Sequence, residues 1–467
     1  MPKLFIVSLG CPKNLTDAEV MAGQFAAAGF ELTADESEAD IALINTCAFL
    51  SSAVKESEKE IKRFISLKER GKLSKIAVTG CLVERERAAI LKKFPQIDAV
   101  VGINALESVC LALNGGERVI IPPAAPLSSP KLKLRLTAPH SAYLKIADGC
   151  DNRCSYCAIP MIRGRFRSKP LKEVIKEAEN LARSGAREIS LIAQDTTFYG
   201  TDLYGRPELY KLLKELVKIG PIKWLRLMYV YPDRLSPELL RLIRDEEKLC
   251  HYLDMPLQHI SDNILRMMNR RSTGKSIRNK LAEIRKTVPD LALRTSFIVG
   301  FPGETGKDFG ELRRFVADAG FDNVAVFEYS REPGTPAAEL PGQTPDKVKA
   351  ARLSGLVSVQ SRVVDKKNKA LAGATVRVLL DSPVSGRTYR DAPEIDGKVE
   401  VITDAISHKP EAIGRKTKKP YGLRPTAYGS VGVPPALKAG EFVNVKITGA
   451  AGYLRRGIIV SAKGELK

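Results

Sequence analysis

Residues 149–160 read GCDNRCSYCAIP and place Cys150, Cys154 and Cys157 in the order CxxxCxxC, three of the chain's eight cysteines. Thiolates at this spacing can reach three corners of one metal centre. A structural zinc takes four protein ligands, often as paired CxxC knuckles, and no fourth ligand stands nearby. His140, ten residues upstream in a proline-rich stretch, is a poor candidate. A four-iron cluster that only carries electrons is held by four cysteines, so three leave one iron open to bind a small molecule. The competing reading is that these are structural thiols.

A second set is spread along the chain. Cys11, Cys47 and Cys81 stand in SLGC, NTC and VTGC, and each ends an expected strand. The carboxyl ends of parallel strands lie on one edge of a sheet, where ligands collect, so the three thiols can converge into a second three-cysteine site. Three separately buried strand-end cysteines are the alternative. Cys110 and Cys250 have no partner at ligand spacing and read as ordinary buried thiols. His259, in PLQHIS, reads either as facing a pocket or as a satisfied structural histidine.

The elements that must position these groups follow from hydrophobic periodicity. Over residues 1–121, the runs LFIVSLG, ADIALINTCAF, KIAVTGC and DAVVG alternate with helical patterns, which implies a doubly wound parallel sheet. Residues 122–142 carry five prolines and a basic patch, and read as a linker. From 143 to 370 the alternation restarts with six strand candidates: AYLKIADGC, EISLIAQD, WLRLMYVYP, YLDMPLQHI, LRTSFIVGFPG and NVAVFEYS. Six units fall short of a closed eight-stranded barrel, so an open (β/α)6 partial barrel is expected, working at the carboxyl ends of its strands. Residues 371–467 change to short β-rich runs punctuated by Gly and Pro, as in a small antiparallel barrel, interrupted by a basic insertion over 406–440.

Composition narrows the partners. The 467-residue chain has a globular balance of 44% hydrophobic and 27% charged residues. It has no apolar run near the roughly 18 residues that span a bilayer. Its amino terminus reads as a buried strand rather than a signal peptide, so a cytoplasmic location without membrane partners is expected. The net charge is +20, and residues 361–467 hold 20 Lys/Arg against 10 Asp/Glu, half of that excess. A nucleic acid or ribonucleoprotein partner for this segment follows, with general solubility as the alternative.

CxxxCxxC with Tyr156 before its last cysteine, directly after the first strand of a partial barrel, resembles the signature of radical S-adenosylmethionine (SAM) enzymes. The resemblance implies a 4Fe-4S cluster on Cys150, Cys154 and Cys157. Its open iron chelates the amino and carboxylate groups of SAM, which is then cleaved to a 5′-deoxyadenosyl radical. It also implies that SFIVGFPGET, with Gly300, passes the adenine. IAQDTTFYG places Gln194, Asp195, Thr196 and Thr197 near SAM, although a polar strand end can simply cap the next helix.

Nearly the whole chain is similar to the methylthiotransferase family. SLGCPKNLTDAE, KIADGCDNRCSYCAIPMIRGRFRSKP, LIAQDTTFYGTDLY, YVYPDRL, YLDMPLQHIS, RTSFIVGFPGET and YRDAPEIDG carry the similarity. It implies a second 4Fe-4S cluster on Cys11, Cys47 and Cys81, and a carboxyl-terminal TRAM barrel that grips the substrate. One SAM methylates sulfur held at the first site, and another supplies the radical that opens a C–H bond. Branches of the family modify either a tRNA adenosine beside the anticodon or the β-carbon of an aspartate in protein S-twelve of the small ribosomal subunit. CPKN after the first thiol, together with YRDAPEIDG, favours the ribosomal-protein branch. A low-potential electron donor is then required, and the basic carboxyl-terminal segment is expected to touch RNA. A non-catalytic RNA-binding protein with structural metal sites is the reading from another class. The basic insertion, and AGYLRRG without an acidic residue after its tyrosine, depart from the family pattern and bear on docking rather than chemistry.

Overall fold

A computed structural model of the chain describes residues 1–402 and 437–460. The first sheet is parallel throughout. Its strands are Lys3–Ser8, Glu31–Leu32, Ile41–Thr46, Lys75–Gly80, Ala99–Val101 and Val119–Ile120, with the first lying between the second and third. Every residue of the central strand Ile41–Thr46 is buried, without alternation, because helices cover both faces. Met21 and Phe25 of helix Pro12–Ala27 pack on one face. Ile61, Phe64 and Ile65 of helix Ser51–Glu69 pack on the other. The four longer strands coincide with the apolar runs of the sequence. The two edge strands of two residues each carry too little pattern to be read from it.

Residues 122–140 form neither helix nor strand, and the next sheet begins at Ser141. This stretch is nevertheless tied down along its length. Lys133 lies between Glu19 at 3.2 Å and Glu177 at 3.3 Å, and Leu134 N–H donates to the Glu19 carbonyl. Part of the basic patch expected there is therefore an internal ion pair.

The second sheet is also parallel, with six strands side by side in chain order: Ser141–Lys145, Glu188–Ile192, Trp224–Leu227, Leu249–Asp254, Ala292–Val299 and Asn323–Glu328. It is the open barrel expected, and its helices bury Leu and Val faces in one continuous core. Helix Asp346–Lys369 leads out of it. The third sheet is a closed five-stranded barrel of Thr375–Ser382, Ser385–Arg387, Lys398–Ile402, Phe442–Ala451 and Leu454–Val460. It is antiparallel except where Lys398–Ile402 pairs in parallel with Leu454–Val460. The long connection after Ile402 allows this, since parallel neighbours cannot be joined by a tight turn. The expected basic insertion falls largely on residues 403–436, outside the described residues.

YRDAPEIDG, the stretch of the small barrel singled out in the sequence, plugs the amino-terminal half of the open barrel. Tyr143 OH donates to the Pro393 carbonyl at 3.2 Å, Arg226 to the Tyr389 carbonyl at 2.6 Å, and Tyr252 OH to Asp396 at 2.7 Å. Burial pushes the Asp396 carboxyl up to about 6, even though Arg294 lies 3.2 Å away and works against this. Beneath the plug, Glu188 takes Arg226 at 2.8 Å from its own sheet and Arg387 at 2.6 Å from the small barrel. Arg390 pairs with Asp322, and Arg455 with Asp391. Much of this segment's arginine is thus committed inside the fold rather than offered to a partner. Removing one member of such a buried set leaves charges without compensation. Glu188→Ala is expected to lower the unfolding free energy by about 3–5 kcal/mol, read from the urea midpoint. An unchanged midpoint would show that water reaches the two arginines.

Candidate cluster sites

The two cysteine triads are built differently. In the first, three loops at the carboxyl edge of the sheet converge. Cys11 precedes helix Pro12–Ala27, Cys47 follows strand Ile41–Thr46, and Cys81 opens helix Cys81–Glu86. Two glycines permit the approach. Gly10 has φ +92°, and a Cβ there would stand 2.8 Å from the Cβ and Sγ of Cys47; at Gly80, with φ +97°, it would meet the Thr46 carbonyl at 2.3 Å. Asn14 ties the loops together by donating to the carbonyls of Leu9 and Thr46, each at 2.9 Å. Ser57 holds both the N–H and the carbonyl of Cys47.

The second triad sits on one loop, clamped by the barrel. Cys150 N–H donates to the Gly164 carbonyl at 3.2 Å. Gly149, with φ +80°, leaves no room for a Cβ, which would fall 2.0 Å from the Arg165 carbonyl. Ser155 donates from its N–H to Met268 and from its hydroxyl to Met267, and Asn269 donates to the Arg153 carbonyl.

Several of the thiols are held protonated by their surroundings. Burial, followed by repulsion from neighbouring thiols, pushes Cys47 and Cys157 up to about 12, and burial pushes Cys150 up to about 11. Such thiols ionise when a cation is bound. Each triad also has a guanidinium beside it, buried at Arg163 and half-buried at Arg270. Arg163 Nη2 lies 3.6 Å from Cys81 Sγ, and Arg270 Nη1 lies 3.9 Å from Cys154 Sγ. Three thiolates on an iron-sulfur cube leave net negative charge, which a fixed arginine offsets in a low-dielectric site. Among the described residues, no three His, Cys, Asp or Glu side chains are arranged to hold a single metal ion. Ligands of a cube bind different irons and stand farther apart. Three thiols are the donor type that holds an iron-sulfur cluster.

Arg163 does more than face one triad. It ends the short helix Ile159–Arg163 that follows Cys157, and Ala158 and Ile162 of that segment pack into the core of the first sheet. Its guanidinium donates to Asp148 at 2.8 Å, Asp17 at 3.0 Å and Asn14 at 2.7 Å. Asp148 lies two residues before Cys150, so a single side chain touches both triads' supports. Burial opposes the charged form of Arg163, but Asp148, Cys81 and Asp17 outweigh it and raise its pKa well above the usual value. Lys145 closes the knot by pairing with Asp17 and, at 3.4 Å, with Asp148.

The other expected residues fall around this knot in distinct roles. Gln194 donates to Asp148 at 2.9 Å, while its Oε1 is buried without a partner among the described residues. Asp195 is fully engaged, accepting from Asn152 at 2.7 Å, from Thr197 at 2.6 Å and from Arg234. It braces the cysteine loop through Asn152. Tyr156 packs with Ile264, Met268, Phe301 and Tyr329, and burial raises its hydroxyl pKa well above the ordinary value. Gly300, with φ +71°, approaches Lys349 so closely that a Cβ would lie 2.4 Å from its Cγ. Thr196 caps backward onto the Met228 carbonyl. His259 is fully buried beside Glu304 at 3.6 Å, and His140 is paired with Asp381 at 3.0 Å. Cys250 is buried as expected, but Cys110 is only half-buried, because helix Val109–Leu113 lies at the rim of its sheet.

Sequence reasoning missed Arg163, Arg270, Asn14 and Lys13. Asn14 and Lys13 lie in CPKN and Arg163 in IPMIRG, so the motifs were legible while the contacts were not. Lys13 stands 3.1 Å over the Tyr229 ring, and burial lowers its pKa.

Residues 3–102 match the model of the Uncharacterized protein family UPF0004, and residues 144–316 match that of the Radical SAM superfamily. The fold and the cysteine loop thus define a radical SAM enzyme, a class whose cluster binds SAM. Among solved structures, the radical S-adenosylmethionine methyltransferase TsrM from Kitasatospora setae superposes with TM-score 0.54 at 15% identity, covering 79% of this chain and 90% of that one. The cobalamin-dependent S-adenosylmethionine radical enzyme OxsB gives 0.50 at 13%, covering 78% and 56%; both likenesses concern the fold. The chain belongs to the ribosomal protein uS12 methylthiotransferase RimO family. It is 49% identical to the member from Elusimicrobium minutum over 98% of this chain and 100% of that protein. It is 45% identical to the member from Geobacter sulfurreducens over 85% and 92%.

Replacing Arg163 by Met leaves buried Asp17 and Asp148 to share the single ammonium of Lys145. The expected loss is about 3–5 kcal/mol in chemical denaturation, with less iron retained after anaerobic reconstitution. Arg163→Lys should restore little, since one ammonium cannot span three separate acceptors in the planar geometry of a guanidinium.

Proposed function

We propose that this enzyme adds a methylthio group to the β-carbon of an aspartate in the small-subunit ribosomal protein S-twelve (uS12). The observation that carries the reading is the pair of three-cysteine sites joined through Arg163, in a chain whose relatives are named for that reaction. Cys150, Cys154 and Cys157 hold the 4Fe-4S cluster that binds SAM. Cys11, Cys47 and Cys81 hold a second 4Fe-4S cluster. When bound, these groups supply the one-electron chemistry that opens a C–H bond and the sulfur that is methylated and transferred.

The chain's own residues hold and orient. Arg270 and Arg163 offset the charge of the two sites, and Asp148 fixes Arg163 and Gln194 so that the free Gln194 Oε1 faces the SAM site. Tyr156 and Gly300 shape the wall beside it, one by filling apolar space and the other by having no side chain. Asp195 holds the cysteine loop through Asn152. No side chain is assigned as a proton or hydrogen carrier, because the abstracting agent derives from SAM.

The partners are uS12, alone or within the small ribosomal subunit, and a low-potential electron donor. The basic carboxyl-terminal segment adds salt-sensitive contact with RNA. Among the described residues no helix is long and apolar enough to cross a membrane, and a ribosomal substrate places the enzyme in the cytoplasm.

Reconstituted enzyme with SAM, reductant and sulfide should add the mass of one methylthio group to an aspartate of uS12 in intact small subunits, and none to an anticodon stem-loop RNA. A gain on adenosine instead would move the enzyme to the tRNA branch. Cys154→Ala should abolish SAM cleavage to 5′-deoxyadenosine. Cys47→Ala should retain some cleavage while losing sulfur transfer. Equal loss of both activities in a folded Cys47→Ala protein would contradict separate roles for the two sites.

A further inference from the structure

Helix Ser51–Glu69 brings no cap of its own. Its N-cap is Leu50, which has no polar side chain, and its first turn carries no acidic residue. The N–H groups at a helix start need an acceptor, and here it comes from the barrel. Glu332 accepts from the Ser51 N–H at 2.6 Å and from the Ser51 hydroxyl at 3.0 Å. The other oxygen of the same carboxylate takes Arg85 Nη1 at 2.9 Å, which also donates to the Ala48 carbonyl at 2.9 Å. Ser330 completes the set by donating to Glu332 at 2.6 Å. The carboxylate is 1% exposed, so it is held by these donors rather than by water. Ala48 follows Cys47, and Arg85 lies in helix Cys81–Glu86. One buried side chain of the barrel thus grips the loops of two thiols of the first triad.

The loop that carries Glu332 also holds the second triad. It follows Asn323–Glu328, the last strand of the open barrel. Its Ala337 N–H donates at 2.8 Å to the carbonyl of Ser155, which lies between Cys154 and Cys157. Thr335 draws the loop together by donating from its hydroxyl to the Glu332 carbonyl at 2.7 Å. Gly334, with φ +82°, comes so near the helix of Arg163 that a Cβ would lie 3.0 Å from Met161 Sδ. The loop therefore touches the supports of both triads, as Arg163 does, but from the opposite side. Asp148 follows the first strand of the barrel sheet and Glu332 the sixth, and these two strands are the edges of that sheet. Attachment at one edge alone would let the first sheet swing about it, and a second at the other edge removes that freedom.

We propose that Glu332 is a positioning residue for the transfer step, holding the sulfur-delivering triad in register with the barrel mouth through Ser51 and Arg85. The inference rests on the function proposed above. SAM is cleaved to methionine and 5′-deoxyadenosine with one electron from the added reductant and one hydrogen atom from the substrate carbon. That carbon then either gains the methylthio group or regains hydrogen, as an electron from the reductant and a proton from water. The outcome depends on where the sulfur stands, and a misplacement of about 1 Å can cost about a hundredfold. Loss of the Glu332 contacts therefore uncouples cleavage from transfer while leaving all six thiols in place.

The test uses reconstituted full-length enzyme with intact small ribosomal subunits, SAM, sulfide and reductant, and reads methylthiolated aspartate formed per 5′-deoxyadenosine. Glu332→Gln keeps an acceptor for Ser51 and turns an amide N–H toward Arg85. Its ratio should fall at least about tenfold, with iron content and the rate of 5′-deoxyadenosine formation near those of wild type. Arg85→Met should give a similar fall, and the double variant no further one, because all three lack the same interaction. Arg85→Met also carries the test alone if Glu332→Gln does not fold. Glu188→Ala, which loosens the far end of the barrel, should keep the wild-type ratio and so controls for general destabilisation. Where wild-type enzyme modifies uS12, an unchanged ratio in Glu332→Gln and Arg85→Met overturns this inference alone. So does an equal fall in Glu188→Ala, or a loss of iron in both variants, which would make the pair a support for the cluster. Wild-type enzyme that cleaves SAM and leaves uS12 unmodified overturns the ribosomal-protein reading and this inference with it.

Discussion

The rest of the site depends on one buried ion-pair knot, in which Arg163 lies between Asp17 and Asp148. Each of these side chains is almost fully removed from water, where isolated charges are not tolerated and pairs survive only with complete hydrogen bonding. The knot meets that condition: the guanidinium spreads over Asp148, Asp17 and Asn14, while Lys145 takes the other Asp17 oxygen and shares Asp148 Oδ2 with Arg163. Asp17 and Asn14 belong to the first sheet's leading helix, and Asp148 to the barrel's first loop. Fixing one charge in this way fixes the relative placement of two cysteine triads from two different folds.

The same device recurs at the far end of the barrel. There Glu188 joins Arg226 of the barrel to Arg387 of the small carboxyl-terminal barrel, and Arg294 joins Asp254 to Asp396 of the plug. Three sheets are thus held together by buried charge as well as by apolar packing. A hydrophobic interface of the same area would tolerate sliding, whereas charged hydrogen bonds that link one side chain to two partners hold direction as well as distance. That stiffness suits a reaction in which two cofactor sites must face one substrate atom.

Charge also bears on how the carboxyl-terminal segment is read. Its basic excess pointed to an acidic partner, yet Arg387, Arg390 and Arg455 are committed to internal carboxylates. A net charge sums over residues without regard to their partners, so it overstates what a surface offers. The lysines and arginines of residues 403–436 lie outside the described residues, and the case for RNA contact through this segment rests on them.

Much of the fold was legible because it rests on local pattern. The six barrel strands and four of the first sheet's strands are apolar runs bounded by turn residues. CxxxCxxC is a spacing, and a spacing survives in one dimension. The meeting of Cys11, Cys47 and Cys81 was also accessible, since each ends a strand and parallel strands share an edge. What the sequence by itself determined is therefore the identity of the donors and the elements that carry them. The tertiary structure alone decided which charges are spent and which remain free. Asp195 looked like a ligand for SAM and is occupied by Asn152, Thr197 and Arg234, while Gln194 keeps an open acceptor. Arg163 sits in a basic run resembling any solvated surface and is the most constrained cation of the site. Lys13 sits in a cysteine motif and lies over the ring of Tyr229, more than 200 residues away in the chain. Pairing depends on distances between residues far apart in the chain, and on the exclusion of water that gives those distances their energy; neither exists until the sheets have packed.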